Sequence, residues 1–533
     1  MSASMVLTPL PVLIPMIGAA ATMFAGRRPR LQRAITLAAL SAVVVVCAAL
    51  LYLADRDGTM ALHVGGWGQS VAGMGPLGIT LVVDRLSALM LVVSSIVLLA
   101  VVLYAIGQGI RDGGERQPVS IFLPTYLVLS AGVCNAFLAG DLFNLFVGFE
   151  VLLAASFVLL TIGASTERVR VGISYVMVSM VSSVIFLIGI ALVYAATGTL
   201  NLAELANRLD GVSSGTRSAL FAVLLVAFGI KAAVFPLSTW LPDSYPTAPA
   251  PVTAVFAGLL TKVGVYAIIR AHTLLFPSGG LDGMLMVAAF LTMLVGIFGA
   301  IAQSDIKRLL SFTLVSHIGY MVFGVALSSE LGLSGAIYYV AHHILVQTTL
   351  FLVVGLIERQ TGASTLQRLG GLAAASPLLA FVFVVPALNL GGIPPFSGFI
   401  GKVALLEAGA QDGSVLAWLL VAGSVVTSLL TLYVISRVWT LAFWRSRADA
   451  PEGHMAAAAP SVLLDDTEDV ALDERGDVGR MPVGMLVPTG ALIAVGLTLT
   501  VLAGPIVAYS DRAAAEVLDR GRYISAVLSG VTP

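Results

Sequence analysis

Long apolar stretches separated by short polar segments run along almost the whole chain. A helix that spans a bilayer needs about 20 mainly apolar residues, and stretches of this kind recur from one end of the sequence to the other. They lie at 5–24, 35–54, 85–107, 119–139, 141–163, 173–197, 217–240, 250–272, 282–303, 308–328, 332–357, 374–410, 413–443 and 484–509. The pattern predicts an all-α, polytopic membrane protein with about 14 transmembrane helices.

The polar segments between the stretches are mostly too short to hold a folded soluble domain. The exception is 445–482, an acidic segment that is typical of a polar connector. Its acidic residues are Asp465, Asp466, Glu468, Asp469, Asp473, Glu474 and Asp477. The first stretch lacks a cleavage-site pattern and more spans follow it, so we expect a retained helix rather than a signal peptide.

Basic residues alternate between the two sides of the predicted membrane. Cytoplasmic loops carry an excess of Lys and Arg, which places the first loop, with its four arginines between 27 and 33, in the cytoplasm. Every second loop after it is rich in basic residues, and the intervening loops are poorer. Both termini are therefore predicted to lie outside.

The composition excludes a water-soluble protein. Hydrophobic residues make up 58% of the chain and charged residues 11%, whereas soluble proteins carry about 25% charged residues. The formal net charge of −1 leaves no basic footprint for nucleic acid. Cys47 and Cys134 both lie in apolar stretches and indicate no disulfide framework. Because the sequence contains no phosphate loop, dinucleotide fingerprint or metal-ligand spacing, we expect neither a cofactor nor a metal site.

A few ionisable residues remain at membrane depth once the loops are set aside. They are Glu150, Lys231, Lys262, His317, His342, His343 and Lys402. A charge at the centre of a membrane helix costs about 2.5–3.5 kcal/mol on insertion scales, so these residues need a role or a partner. A single lysine could simply tie two helices together, but the set as a whole favours a proton or ion path.

Lysine usage sharpens this hypothesis. Arginine fills nearly every loop position, yet three of the four lysines lie inside predicted spans. A buried lysine can give up its proton, whereas arginine stays charged, so lysine suits a proton path. The histidines leave alternatives open: His317 fits either a relay or a satisfied core histidine, and at least one of His342 and His343 should face the protein interior. His63, His272 and His454 fall at loops without evident partners.

Two spans are interrupted by proline and glycine. Lys231 is followed by Pro236, and the segment from Asn389 to Gly398 interrupts another span just before Lys402. Such breaks are tolerated where protein or water satisfies the freed backbone groups, and paired breaks are typical of inverted-repeat transporters. We therefore expect spans 4–8 and 9–13 to form inverted repeats with broken helices 7 and 12.

The predicted organisation has five parts. These are spans 1–3 at 1–118, a first repeat at 119–272, a second repeat at 282–443, the acidic connector at 445–482, and a last span with a tail at 484–533.

Three motifs resemble those of the proton-translocating antiporter family. They are WLPDSYP at 240–246, GLLTKVGVY at 258–266 and GIPPFSGFIGKVALLEAG at 392–409. This family includes the antiporter-like subunits of respiratory complex I and the large subunits of Mrp-type Na⁺/H⁺ antiporters, and the motifs are closest to the Mrp branch. The resemblance covers roughly spans 3 to 13.

The resemblance implies roles by position. Glu150 would pair with Lys231, and Lys262 and Lys402 would continue the proton path. Many relatives carry a lysine four residues after the histidine of span 11, where this chain has Gln347. Since Gln347 cannot titrate, His342 or His343 would have to carry that step.

The expected function is proton translocation in a multisubunit Na⁺/H⁺ antiporter, by a transporter subunit rather than an enzyme. The resemblance implies other subunits of a hetero-oligomeric complex as partners, protons and sodium as transported ions, and the bacterial cytoplasmic (inner) membrane as location. One alternative is a proton-pumping subunit of NADH:quinone oxidoreductase or a related membrane hydrogenase. Another is a membrane scaffold that transports nothing.

Overall fold

The computed structural model of the chain describes all but seven segments. The described residues are 6–66, 78–109, 120–162, 166–277, 280–452 and 481–528. Most of the predicted acidic connector and His454 lie outside these ranges.

Long helices dominate the described residues, and sixteen of them are labelled in chain order. They are α1 Leu10–Phe24, α2 Pro29–Asp57, α3 Arg85–Gln108, α4 Phe122–Leu138, α5 Leu142–Thr161, α6 Thr166–Thr197, α7 Ser214–Ala232, α8 Ala250–Leu275, α9 Asp282–Ile301, α10 Ile306–Ala326, α11 Glu330–Thr361, α12 Pro377–Gly391, α13 Ser397–Asp412, α14 Val415–Trp444, α15 Val483–Val501 and α16 Ala503–Leu518. Short helices occupy Leu202–Arg208, Trp240–Ser244, Leu372–Ala375 and Arg520–Leu528.

The helices confirm a polytopic membrane fold. Within the described ranges, 11 helices are long and apolar enough to cross a membrane, and α1, α4 and α12 are shorter apolar helices. The number of 14 transmembrane helices, the five-part organisation and the inverted repeats stay predictions.

A small β-hairpin is the one departure from an all-helical chain that the described residues show. Strand β1, Met60–His63, pairs antiparallel with β2, Thr80–Val83. This hairpin was not predicted, because two four-residue strands between long apolar helices leave almost no periodic signal in the sequence.

Both predicted helix breaks are present, and proline explains where they fall. Helix α7 ends at Ala232, and Ala233 adopts a left-handed conformation with φ 59°. Continuing the helix would set the ring of Pro236 against the carbonyl group of Ala232. In the other break, α12 ends at Gly391, Gly392 has φ 79°, and α13 begins at Ser397. The lysines stand on opposite sides of these breaks, because Lys231 precedes the first and Lys402 follows the second.

The predicted last span is wrong in its extent. The stretch 484–509 is not one helix, because α15 ends at Val501 and α16 begins at Ala503. Pro505 lacks an N–H group and would clash with the carbonyl group of Val501 in a continuous helix.

Helix α11 lies at the centre of the molecule. Its apolar part is completely buried inside the protein. The helices that pack against it come from both halves of the chain, namely α3, α8, α10, α12, α13, α15 and α16. Polar side chains on α11 therefore face protein rather than lipid.

Candidate functional site

Glu150 and Lys231 lie on neighbouring helices and are joined by a serine of a third helix. Ser183 of α6 donates a hydrogen bond to Glu150 Oε1 on α5. Ser183 Oγ accepts one from Lys231 Nζ of α7 at 3.2 Å, and Nζ also donates to the carbonyl oxygen of Ser179 at 3.4 Å. The predicted pairing is therefore indirect, since a hydroxyl group stands between the carboxylate and the ammonium group. We call Glu150, Ser179, Ser183 and Lys231 the Glu150 cluster.

The surroundings of Lys231 favour a positive charge and leave room for water. Lys231 is in the last turn of α7, where the partial negative charge of a helix C-terminus stabilises cations. Its Nζ lies 5.6 Å from the ring centroid of Phe149, close enough for a cation–π contact. A cavity of about 30 Å³ beside it is lined by residues that include Tyr175 and Trp240. That volume accommodates two or three water molecules, at about 10–15 Å³ each.

Glycines bring α8 close to both α7 and α11. A Cβ atom at Gly264 would lie 2.6 Å from the Ala232 nitrogen of α7, and one at Gly258 would lie 2.1 Å from Thr348 Oγ1 of α11. A larger residue at Gly264 would meet backbone atoms and force α7 and α8 apart, whereas one at Gly258 would require the Thr348 hydroxyl group to turn away. Helix α8, which carries Lys262, therefore packs directly against the helices that carry Lys231 and the paired histidines.

Lys262 is fully buried on α8. Its Nζ donates to the carbonyl oxygen of Ala257 at 2.6 Å, within a π-helical turn at Phe256–Leu260. Such turns are rare in helices and are frequently found at functional sites. Among the described residues, no carboxylate oxygen lies within 4.0 Å of Lys262 Nζ, the distance of an ion pair.

The three predicted histidines meet between α10 and α11. His317 Nδ1 is hydrogen-bonded to Tyr339 Oη at 2.7 Å, and the rings of His317 and His343 have centroids 5.1 Å apart. The ring of Tyr339 lies 5.3 Å from that of His342. All three histidines are completely buried, and neither ring nitrogen of His343 has a hydrogen-bond partner among the described residues. Both histidines of the pair thus face the interior.

Lys402 uses the backbone groups that the second break frees. Its Nζ donates to the carbonyl oxygens of Leu390 and Gly391 at 3.2 and 3.1 Å, and to Ser428 Oγ at 3.1 Å. The break residue Ser397 also contacts His342 Nδ1, at 2.9 Å. We call His317, Tyr339, His342, His343 and Lys402 the histidine cluster.

Gln347 is anchored by its amide group. Its Nε2 donates to the carbonyl oxygen of Leu310 at 2.8 Å, while its Oε1 has no partner in the part of the chain that the structure describes. This side chain therefore joins α11 to α10. Because an amide group does not titrate, we assign Gln347 no step in proton transfer.

The hydroxyl groups of both clusters were not predicted from the sequence. Ser183 and Tyr339 each bond to a predicted residue. Ser179, Ser182 and Ser183 do share one helical face in an otherwise apolar stretch, a signal that could have indicated an inward-facing side. Tyr339 left no comparable signal, because buried tyrosines are common in membrane helices.

Two histidines for which the sequence indicates only a loop position, His63 and His272, have partners in the structure. His272 lies in the last turn of α8, buried, with Nε2 2.7 Å from Asp282 Oδ1. His63 of β1 contacts Thr80 Oγ1 at 3.2 Å. Both partners come from other elements, so spacing along the chain could not reveal them.

A second buried charge pair joins α3 to α8, away from the two clusters. Asp84, which caps α3, forms a salt bridge with Arg270, and both side chains are almost completely buried. Arg270 Nε also donates to Tyr266 Oη at 3.1 Å. Because its positive charge is balanced locally and arginine keeps its proton, this pair stabilises helix packing.

Comparison with known proteins shows which family the chain resembles. Residues 139–431 match the family model described as NADH:quinone oxidoreductase/Mrp antiporter, TM. The chain is 37% identical over 522 residues to an Na⁺/H⁺ antiporter subunit of type D from Alkalihalophilus pseudofirmus, an alignment that covers 97% of this chain and 98% of the relative. It also matches a chain of the Mrp complex from Dietzia sp. DQ12-45-1b with a TM-score of 0.87 and 33% identity, covering 98% and 99% of the two chains.

A more distant likeness extends to respiratory complex I. A chain of the Thermus thermophilus complex matches with a TM-score of 0.74 and 23% identity, over 96% of this chain and 99% of that one. This likeness shows a shared fold alone, and the alternative of a complex I subunit fits less well than the Mrp branch. The chain belongs to the NADH:quinone oxidoreductase/Mrp antiporter transmembrane family.

Proposed function

We propose that the chain is the proton-translocating subunit of a multisubunit Na⁺/H⁺ antiporter in the bacterial cytoplasmic membrane. It is a transporter component rather than an enzyme, and it acts together with other subunits of a hetero-oligomeric complex. The observation that carries the proposal is the setting of Lys231, Lys262 and Lys402. Each lies in a broken or π-bulged helical region, bonded to hydroxyl or carbonyl oxygens.

These lysines suit proton transfer because their charge has no direct counter-ion among the described residues. Burial favours the neutral amine of a lysine, whereas a nearby carboxylate favours the charged form. In the Glu150 cluster the carboxylate is close but separated from Nζ by Ser183. A small movement of Ser183 or Glu150 would therefore change how strongly Lys231 holds its proton, which is the property of a switch.

Helix α8 provides the connection between the clusters. It packs against α7 at Gly264 and against α11 at Gly258. A proton released by Lys231 would pass to Lys262, then to His343 and His317, and on through His342 to Lys402. Because no described side chain joins Lys231 to Lys262 by a hydrogen bond, that step requires bridging water, for which the cavity beside Lys231 has room.

The lysines also permit a purely structural interpretation, because a lysine bonded to carbonyl oxygens holds helix ends together. The scaffold alternative follows from it: replacing all three lysines would leave transport normal. The proton-path proposal predicts that transport would be lost. Both interpretations accept the same lysine contacts, but only the proton path requires the lysines to release and take up protons.

A lysine-to-arginine exchange in the assembled complex tests the proposal. Lys262→Arg keeps a positive charge and hydrogen-bond donors but cannot give up its proton at physiological pH. We expect it to abolish Na⁺-driven proton movement in everted membrane vesicles while the subunits still co-purify. The matched control is Lys307→Arg, since Lys307 is the fourth lysine and pairs with Glu358 at 2.5 Å outside the two clusters. Normal transport by Lys262→Arg would refute the path through α8.

A further inference from the structure

The turn between α1 and α2 carries an unusual concentration of unpaired positive charge. Arg27, Arg28 and Arg30 are exposed and Arg33 is half-buried. None of the four forms an ion pair or a side-chain hydrogen bond with any residue in the part of the chain that the structure describes. Four basic side chains within seven positions thus lack an acidic partner among those residues.

Several other basic residues of the predicted cytoplasmic side do have partners. Lys307 pairs with Glu358 at 2.5 Å, and Arg308 pairs with Asp243 at 2.6 Å. Arg445 donates to the carbonyl oxygen of Leu369 at 2.9 Å. The topology rule explains why basic residues lie on this side. It does not explain why those of the first turn cluster without any partner in the described ranges.

A groove at this turn combines the arginines with an apolar wall. Its volume is about 560 Å³, and Arg27, Arg28, Phe24, Leu31 and Ile35 are among the residues that line it. The Phe24 side chain is 95% exposed, which is a costly position for an aromatic ring in water but not in contact with acyl chains. The groove lies at the end of α1 and the start of α2.

The groove is held in a fixed shape by a buried glutamine. Gln32 Nε2 donates to the carbonyl oxygens of Thr22 at 2.9 Å and Ser120 at 3.2 Å. This side chain is almost completely buried and connects the end of α1, the start of α2 and the segment before α4. The backbone that carries the arginines is therefore fixed, and a ligand would have to order only their side chains, which limits the entropic cost of binding.

We propose that this groove binds an anionic phospholipid. The guanidinium groups of Arg27 and Arg28 would hold the headgroup phosphate, for which arginine is well suited. The acyl chains would lie along the exposed apolar side chains of α1, namely Leu13, Met16, Ile17, Met23 and Phe24. Basic pockets between helices on the cytoplasmic side typically bind such headgroups. The continuous apolar wall favours a lipid over an acidic protein segment.

The test measures lipid binding to the purified, fully assembled complex. Phosphatidylglycerol and phosphatidylcholine are titrated into the detergent-solubilised complex, and bound lipid is counted by native mass spectrometry. Removing two charges with Arg27→Gln/Arg28→Gln should weaken phosphatidylglycerol binding at one site about 30-fold, with phosphatidylcholine unaffected. The matched control removes two exposed arginines that have acidic partners, Arg56→Gln/Arg522→Gln, and should leave this binding unchanged.

A second variant and a crosslink separate lipid from other anions. Phe24→Ser keeps every charge but removes the most exposed side chain of the apolar wall, so it should weaken lipid binding while leaving the weak binding of soluble glycerol phosphate unchanged. A photo-crosslinking amino acid at position 35 should capture lipid. Unchanged phosphatidylglycerol binding in both variants would overturn the proposal, and so would capture of a polypeptide at position 35. Neither outcome depends on antiport, so the proposed transport function is tested separately.

Discussion

The Glu150 cluster and the histidine cluster differ in how their charge is compensated. The first contains a carboxylate, its two charged residues are half-buried, and it adjoins a cavity that accommodates water. The second is fully enclosed, and its lysine is held by carbonyl and hydroxyl oxygens, with no carboxylate among the described residues that bond to it. A carboxylate beside a hydrated space suits a group whose charge is switched. Closely spaced imidazole rings suit a relay that passes a proton from one ring to the next.

The largest expected effect comes from removing the negative charge of the Glu150 cluster. Glu150→Gln retains an amide oxygen that can accept the hydrogen bond from Ser183 but no longer stabilises protonated Lys231. We expect antiport to fall about a hundredfold or more, the scale on which positioned proton-transfer groups act. Dye-monitored proton uptake in everted vesicles measures it. Antiport near the unmodified rate would show that this cluster switches nothing.

A glycine-to-alanine substitution in the second helix break should disturb the histidine cluster by moving Lys402. In Gly392→Ala the new Cβ would lie 2.9 Å from Lys402 Cδ, in a backbone conformation with φ 79°. We expect antiport to fall about tenfold or more. Lys402 is displaced rather than removed, so the loss should be smaller than the roughly hundredfold or more that a positioned proton-transfer group contributes. Vesicle assays at equal amounts of complex measure it.

The matched control for this substitution is Gly371→Ala. Gly371 also has a positive φ of 70°, but a Cβ atom added there would lie 3.8 Å from the nearest atom, the Arg447 nitrogen. Both variants should lose about 1–2 kcal/mol of stability from the left-handed conformation, measured as a lower Tm. Only Gly392→Ala should lose antiport, and an equal loss in both would attribute the effect to stability alone.

Ser183→Ala should produce a smaller effect that sharpens the comparison. It removes the hydroxyl group between Glu150 and Lys231 without removing either charge, so a water molecule can replace it in part. We expect a severalfold loss of antiport and a changed pH profile. Ser182→Ala is the control, because Ser182 Oγ donates to the carbonyl oxygen of Ala227 at 2.9 Å and contacts neither charged group. The bridging role of Ser183 would be refuted if both variants transported alike.

The smallest effect is expected for Tyr339→Phe in the histidine cluster. The ring stays, and only the hydrogen bond to His317 Nδ1 is lost, at a cost of about 1 kcal/mol in stability. Antiport should fall no more than about fivefold, since the neighbouring rings of His317 and His343 still lie in contact. A complete loss of antiport at unchanged assembly would instead make the Tyr339 hydroxyl an obligatory carrier of the proton.

The residues of the candidate site were easier to propose from the sequence than the contacts that they make in the structure. Lys231, Lys262 and Lys402 could be recognised because a charge in an apolar stretch is rare and costly, and the breaks were visible because proline constrains its neighbours. Ser183 and Tyr339 could not be recognised in this way. A hydroxyl group in a membrane helix costs little, and its partner lies on another helix at a distance along the chain that no periodicity encodes.

In the fold, too, some features were visible in the sequence and others were not. Apolar length predicted the helices, whereas the β-hairpin and the kink after Val501 depended on local backbone chemistry within a few residues. The partner of His272, Asp282, comes from the next helix across a short connection. Contacts between elements were therefore the part that a single sequence did not reveal.

The enclosure of α11 has a consequence for biogenesis. While the chain is being inserted, Gln347 can already bond to Leu310 of the preceding helix α10. His342 would face lipid until later helices arrive, because its partner Ser397 is the first residue of α13. The lateral release of α11 into the bilayer should therefore wait for α12 and α13, which follow it in the chain. Substitutions on its packing surface would then lower the yield of inserted protein before they altered the turnover of the molecules that mature.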